Sequence, residues 1–286
     1  MEHLKIFIEL TRLNKPIGFM LLFWPCSWGL ALAYIQDQNS TIFLIYFILF
    51  FLGAILMRSA GCIFNDIVDK DFDKKVERTK YRPITSKKIS VKKSFLYILV
   101  LCLLAFIVLI QFNFKTILLG LSSMLLAFSY PFLKRFTYWP QLFLGLTFNW
   151  GMIMGYVSIL DTISLDIIVL YISAIFWTLG YDTIYGAQDI VDDEIIGIKS
   201  TAIKFKKQIK LFVSTCYMIT SVLIFYVFIE KFSLNFFTLF LIMFFISLMY
   251  QLIIFKKENA SSCLRAFRTN NLSGFFLLAS IMFLKL

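Results

Sequence analysis

Histidine and paired cysteine are what this sequence most lacks. It has one histidine, His3, and five cysteines (Cys26, Cys62, Cys102, Cys216 and Cys263) with no Cys-x-x-Cys pair among them. A lone imidazole outside the apolar segments cannot supply a Ser-His-Asp relay or a His-based metal centre. Cysteines scattered through apolar runs behave as small hydrophobes rather than as zinc ligands or disulfide halves. Charge is scarce as well: 16% of the 286 residues are charged and 60% are hydrophobic, too little polar material to cover a soluble globule of this size. The start lacks the charged lead, short apolar core and small-residue cleavage site of a secretory signal. Glu2 and Glu9 do not suit an Arg-rich, acid-poor transit peptide either, so the first apolar segment is expected to be retained.

Long apolar runs fill the chain instead. Stretches able to cross about 30 Å of hydrocarbon as helices fall near 17–35, 42–63, 95–112, 116–133, 139–160, 164–188, 211–229, 234–255 and 271–286. The expected fold is all-α: a single integral-membrane domain over 1–286, built as a polytopic bundle of about nine transmembrane helices in the lipid bilayer. Placing the N-terminus in the cytoplasm puts the tail and the loops 64–94, 134–138, 189–210 and 256–270 on one side. These segments carry 24 of the 28 Lys and Arg residues, the pattern of cytoplasmic loops. The net charge of +11 is therefore mostly a determinant of topology, and no nucleic-acid partner is expected. Pro16, Pro25, Pro131 and Pro140 read as helix ends or kinks.

Two acidic stretches stand out against this background. Asn65-Asp66-Ile67-Val68-Asp69-Lys70-Asp71-Phe72-Asp73 ends the second span, and Gln188-Asp189-Ile190-Val191-Asp192-Asp193 ends the sixth. Both contain Asp-Ile-Val-Asp. Four spans separate them, so both finish on the cytoplasmic side. At about 100° per residue, Asp66, Asp69 and Asp73 line one helical face and Asp71 points away, while Asp182, Tyr185, Asp189, Asp192 and Asp193 fall within one sector of roughly 100°. Stacked carboxylates repel one another unless a cation lies between them. With His and Cys excluded, that cation is a hard one such as Mg²⁺, which combines one or two carboxylates with waters and phosphate oxygens. Basic residues follow each stretch (Lys74, Lys75, Arg78, Lys80 and Arg82; Lys199 and Lys204), as a metal-diphosphate complex requires. Arg58, within the second span, shares a face with Asn65 and Asp69 and sits roughly 10 Å deeper than Asn65. An arginine at that depth is paired or functional.

The chain resembles the intramembrane aromatic prenyltransferases, and within them the 4-hydroxybenzoate polyprenyltransferases of ubiquinone biosynthesis. The likeness runs from Arg12-Leu13-Asn14-Lys15-Pro16-Ile17-Gly18 through the 65–73 motif with Arg78-Thr79 and Arg82-Pro83. It continues with Tyr130-Pro131-Phe132-Leu133-Lys134-Arg135, Tyr181-Asp182-Thr183-Ile184-Tyr185 and Gly197-Ile198-Lys199-Ser200-Thr201-Ala202. It implies helices around a central cavity open to the cytoplasmic side, and Mg²⁺ holding a polyprenyl diphosphate. By motif, Asp69 and Asp73, with Asn65 and Asp66, correspond to one metal-diphosphate site and Asp189 and Asp193 to the other. Arg78, Arg82 and Lys199 are expected near the diphosphate. Asp189 is open between metal and acceptor, and Arg135, which by base rate is a topology anchor with Lys134, is expected at the acceptor carboxylate. Tyr185 is a candidate to stabilise an allylic cation by its quadrupole, while Arg58, Asp182 and Asp192 have no assigned role. The implied reaction joins the prenyl group to the ring carbon ortho to the hydroxyl of 4-hydroxybenzoate, and the lack of a transit-peptide pattern makes a bacterial inner membrane the expected location. Two alternatives are a sibling enzyme with dihydroxynaphthoate or haem as acceptor and a cation transporter.

Overall fold

A computed structural model describes residues 2–77 and 79–284. The described chain is helical, in the order α1 (Glu2–Thr11), α2 (Ile17–Asp37), α3 (Ser40–Asp73), α4 (Val91–Leu109), α5 (Phe114–Leu133), α6 (Pro140–Leu160), α7 (Leu165–Gly186), α8 (Ile190–Ile196), α9 (Thr201–Lys204), α10 (Ile209–Phe228), α11 (Phe236–Ile254) and α12 (Ala260–Phe283). Local sequence sets most of the starts. Asn39, Ser90, Asn113, Ser164, Asn235 and Asn259 each accept a hydrogen bond from the backbone N–H three residues on, satisfying a donor that a helix leaves open. Pro140 occupies the first position of α6, where its missing N–H costs nothing.

Among the described residues eight spans are long and apolar enough to cross a membrane, the sixth running from α7 into α8 and being counted as one. The ninth expected span, 271–286, is the far half of α12. The first half of α12 carries Arg265, Arg268, Thr269, Asn270 and Asn271, so it begins well before the apolar run and is not apolar enough to join the eight.

α2 and α7 are the most deeply packed spans, and α3, α4 and α5 turn most of their surface outward. On α4 the outward face is Phe95, Leu96, Leu99, Val100 and Leu103, an apolar surface suited to lipid. α2 packs against α6, α12 and α3; α10 packs against α7, and α11 against α12. The α2–α6 crossing depends on small residues. Gly151 and Gly155, four apart, face Cys26, and Gly29 faces the carbonyl of Met152, so a Cβ at any of the three would collide. This small-xxx-small arrangement lets two membrane helices approach backbone to backbone.

α3 has 34 residues, roughly 50 Å at 1.5 Å per residue, against about 30 Å of hydrocarbon. Its last turns, residues 65–73, therefore emerge from the apolar layer while remaining helical.

A carboxylate cluster closed by basic residues

The end of α3 presents three carboxylates to the protein interior. Asp66 and Asp69 are each 1% exposed and Asp73 is 7% exposed. Asp71, on the opposite side, is exposed and pairs with Lys74 at 2.9 Å, as the helical period implies. Buried carboxylates need counter-charges, and these converge from separate segments. Arg12 Nη2, just past α1, donates to Asp66 Oδ1 at 2.5 Å. Arg82 Nη1 bridges Asp66 Oδ1 at 3.0 Å and Asp73 Oδ2 at 2.7 Å. Lys134 Nζ, past the end of α5, donates to Asp69 Oδ2, and Arg135 Nη2 lies 3.8 Å from Asp69 Oδ1. Burial, the largest single influence, would by itself lower the Arg12 pKa, but Asp66 together with Cys62 and Tyr185 holds the guanidinium above its ordinary value.

Arg135 is fixed by Val68, whose carbonyl accepts from Nη2 at 2.9 Å, and by the rings of Phe72 and Phe132 at 5.1 and 5.7 Å. Its Nε is buried without a hydrogen-bond partner. Asn65 is half-buried on the same stretch of α3. Arg78 lies outside the described residues.

The second acidic stretch departs from the expected single stripe. α7 ends at Gly186, a 3₁₀ turn occupies Ala187–Asp189, and α8 starts at Ile190. The helical period therefore breaks between Tyr185 and Asp189, and the angles computed for a continuous helix do not apply to Asp189, Asp192 and Asp193. The break is local: the Ala187 N–H is shared between the carbonyls of Thr183 and Ile184. Asp182, Tyr185, Asp189, Asp192 and Asp193 are all half-buried. Tyr185 packs on Phe267 with centroids 4.6 Å apart and interacts with Arg12, which links the second stretch to the first. Asp189 interacts with Cys263 at the start of α12.

The segment after α8 folds back over the cluster. Gly197 turns with φ of +75°, the Lys199 N–H donates to the Lys134 carbonyl at 2.9 Å, and the Thr201 N–H donates to Gln141 Oε1 at 3.0 Å. Thr183 and Thr201 share a hydroxyl hydrogen bond of 2.7 Å. Lys199 Nζ is taken by the Phe136 carbonyl at 3.3 Å and lies 5.6 Å from the Tyr138 ring. The loops 64–94, 134–138 and 189–210 thus meet on one side of the bundle, as the charge pattern requires.

Sequence reasoning missed Arg12 and Lys134. In sequence Arg12 reads as part of a basic tail; in the structure it takes up a left-handed φ of +56°, an unusual conformation for a bulky residue, and pairs with Asp66. Lys134 reads as a topology anchor, yet it is the base that closes on Asp69.

Among the described residues no three Asp, Glu, His or Cys side chains converge as a metal cage. The oxygens of Asp66, Asp69 and Asp73 are nonetheless hard donors, and Asp69 Oδ1 is buried with no hydrogen bond. Such a set fits a cation that brings its own waters and phosphate oxygens.

The UbiA prenyltransferase family model matches residues 22–280. The chain is 46% identical over 214 residues to the mitochondrial 4-hydroxybenzoate polyprenyltransferase of Arabidopsis thaliana, covering 74% of this chain and 52% of that protein. It is 40% identical over 285 residues to the protein of the same name from Dictyostelium discoideum, covering 98% and 60%. It thus spans little more than half the length of these curated relatives. Among solved structures it is similar to a UbiA homolog from Aeropyrum pernix, with a TM-score of 0.78, 21% identity and coverage of 93% and 98%. It is also similar to a UbiA homolog from Archaeoglobus fulgidus bound to GPP and Mg²⁺, with a TM-score of 0.72, 17% identity and coverage of 97% and 99%. These structural likenesses establish the fold.

Proposed function

The chain belongs to the UbiA prenyltransferase family, and from that premise we propose that it transfers a polyprenyl group from polyprenyl diphosphate to the ring carbon ortho to the hydroxyl of 4-hydroxybenzoate, a step of ubiquinone biosynthesis. The observation that carries this reading is the set of three buried carboxylates on α3 closed by Arg12, Arg82 and Lys134, at the end of a helix too long for the hydrocarbon. Acid and base in one place suit a diphosphate and its cation together. Neither partner alone calls for both.

In this reading Asp66, Asp69 and Asp73, with Asn65, form one cation-diphosphate site, and Asp189 and Asp193 form the other. Mg²⁺ held there supplies Lewis-acid stabilisation of negative charge on the departing diphosphate. Arg12, Arg82, Lys134, Arg78 and Lys199 add positive charge around the same oxygens, and the cluster orients the diphosphate so that its prenyl chain runs into the apolar bundle. Tyr185 offers a π face toward developing positive charge. Arg135 offers a planar guanidinium to the acceptor carboxylate.

The chain is a multi-pass membrane protein, and we place its basic loops on the cytoplasmic side of a bacterial inner membrane. Its named relatives are mitochondrial, so fractionation of the source cell is the check on location. The reaction is tested by incubating membranes that contain the protein with Mg²⁺, 4-hydroxybenzoate and geranyl diphosphate. Prenylated benzoate is expected. Product from dihydroxynaphthoate or haem in its place moves the protein to a sibling activity, and cation flux without product would make it a transporter.

A further inference from the structure

Charge placed inside a span calls for a use, and one half-buried pair is left idle by the diphosphate site. Arg58 on α3 lies seven residues before Asn65, and Asp182 on α7 lies seven before Asp189. Arg58 is therefore roughly 10 Å of helical rise deeper than the acidic stretch that follows it, and Asp182 lies about one turn inside the end of α7 at Gly186. The two belong to one group: among the described residues the charge acting on Asp182 is Arg58. Arg58 rests over the Phe148 ring at 5.3 Å and against the bare backbone of Gly18, where a Cβ would stand 3.1 Å from Nε. That Nε is buried without a hydrogen-bond partner, as is the hydroxyl of Tyr181. Tyr130, on α5, lies in the field of Asp182, Arg58 and Asp69 alike, which joins this recess to the carboxylate cluster.

Placement decides what the recess can do. A diphosphate anchored at the end of α3 keeps its apolar chain out of water only if the chain points into the bundle. The reacting allylic carbon, and the ring carbon that attacks it, then lie on the interior side of the diphosphate. Arg58, Tyr130, Tyr181 and Asp182 are polar groups on that side, and Arg58 and Asp182 are the charged pair among them.

We propose that Asp182 is the base that removes the ring proton after carbon–carbon bond formation, and that Arg58 is the residue that positions it. This rests on the aromatic-acceptor reading above. The bond between the allylic carbon and diphosphate oxygen breaks, and its electron pair leaves with the diphosphate. A ring π pair forms the new carbon–carbon bond at the position ortho to the hydroxyl. The proton on that ring carbon passes to a carboxylate oxygen of Asp182, and the C–H pair restores aromaticity. Asp182 returns the proton to water on product release.

The experiment compares 4-hydroxybenzoate with its 3,5-dideuterated form, using the full chain in lipid vesicles with Mg²⁺ and geranyl diphosphate. Wild type is expected to show no primary isotope effect, because proton loss is fast. Asp182→Asn should lose about 100-fold or more in kcat and acquire a primary isotope effect, with the KM for geranyl diphosphate unchanged. Arg58→Leu should show the same effect with a smaller loss, and Arg58→Lys should reverse it. If Asp182→Asn yields too little product to follow, Asp182→Glu gives the same readout on a retained carboxylate. A slow variant that remains insensitive to deuterium overturns the proposal and leaves the pair a structural ion pair, and a variant as fast as wild type overturns it outright. Failure of the unmodified protein to prenylate 4-hydroxybenzoate is a separate result, which sinks the acceptor reading and this inference with it.

Discussion

Arg12 Nη2 donates to Asp66 Oδ1 at 2.5 Å, across 54 positions of sequence. The contact pins the link between α1 and α2 to the far end of α3, and it compensates a carboxylate that is 1% exposed. Arg12→Ala leaves that carboxylate with Arg82 alone. The expected cost is about 1–3 kcal/mol, the penalty for a buried acceptor that loses a partner, read as a lower midpoint of thermal unfolding in detergent. Arg12→Lys should recover only part of it, since an ammonium lacks the guanidinium fork. An unchanged midpoint for Arg12→Ala would mean that the contact contributes nothing.

Because Asp66, Asp69 and Asp73 are already matched by basic side chains, Mg²⁺ alone has to compete with Arg12, Arg82 and Lys134 for the same oxygens. Millimolar Mg²⁺ is therefore expected to leave the unfolding midpoint where it is. Mg²⁺ with geranyl diphosphate should raise it, by an amount equivalent to about 2.7 kcal/mol at one hundred times the dissociation constant. EDTA should remove the gain. Equal stabilisation by Mg²⁺ alone would show a metal cage formed by protein atoms only.

Asp69 and Asp71 are two residues apart and differ in every structural respect. Asp69 is buried against Lys134, and Asp71 is exposed beside Lys74. Asp69→Ala and Asp193→Ala should each reduce prenyl transfer by about 100-fold or more, the scale of losing an electrostatic stabiliser, while Asp71→Ala should stay within about twofold, as surface pairs contribute little. Steady-state product formation reads all three. Full activity in Asp69→Ala or Asp193→Ala would end the reading of two cooperating acidic stretches.

The contrast between these residues was legible in the sequence because α3 runs unbroken through residues 65–73, so a fixed angle per residue places each side chain correctly. The same arithmetic failed on the second stretch because α7 stops at Gly186 and a 3₁₀ turn intervenes, a break set by backbone hydrogen bonding rather than by any proline. Spans, charge asymmetry and the pairing of the two stretches on one side were likewise legible, since each follows from composition along the chain. Arg12 and Lys134 were not, because their partners are 54 and 65 residues away. Tertiary packing alone distinguishes a base that closes on a buried acid from one that marks a membrane face. α12 was read short because apolar content was the signal, and its first half is polar while still helical.

Arg135 presents a guanidinium lying against Phe72 and Phe132, with Nε unpartnered. Held in this way, it loses little freedom on meeting a planar carboxylate. Arg135→Ala should raise the KM for 4-hydroxybenzoate by roughly 10- to 100-fold, the worth of a charge-assisted hydrogen bond, and leave the KM for geranyl diphosphate alone. Lysine should not restore it. An unchanged benzoate KM would remove Arg135 from the acceptor site.

Gly155 and Gly61 separate close packing from helix propensity. A Cβ at Gly155 would collide with the Cys26 carbonyl and stand 2.9 Å from the Leu30 amide nitrogen, whereas a Cβ at Gly61 meets nothing within 4 Å. The obstacles at Gly155 are backbone atoms of α2, which cannot rotate aside, so the two helices must separate and the packing around Trp28 and Met152 must loosen with them. Gly155→Ala should cost about 1–3 kcal/mol, the usual penalty of overpacking. Gly61→Ala should gain up to about 1 kcal/mol, because alanine gives up less backbone freedom in a helix than glycine does. Thermal unfolding of both variants in the same detergent gives the comparison directly. A neutral Gly155→Ala would show that α2 and α6 do not meet backbone to backbone.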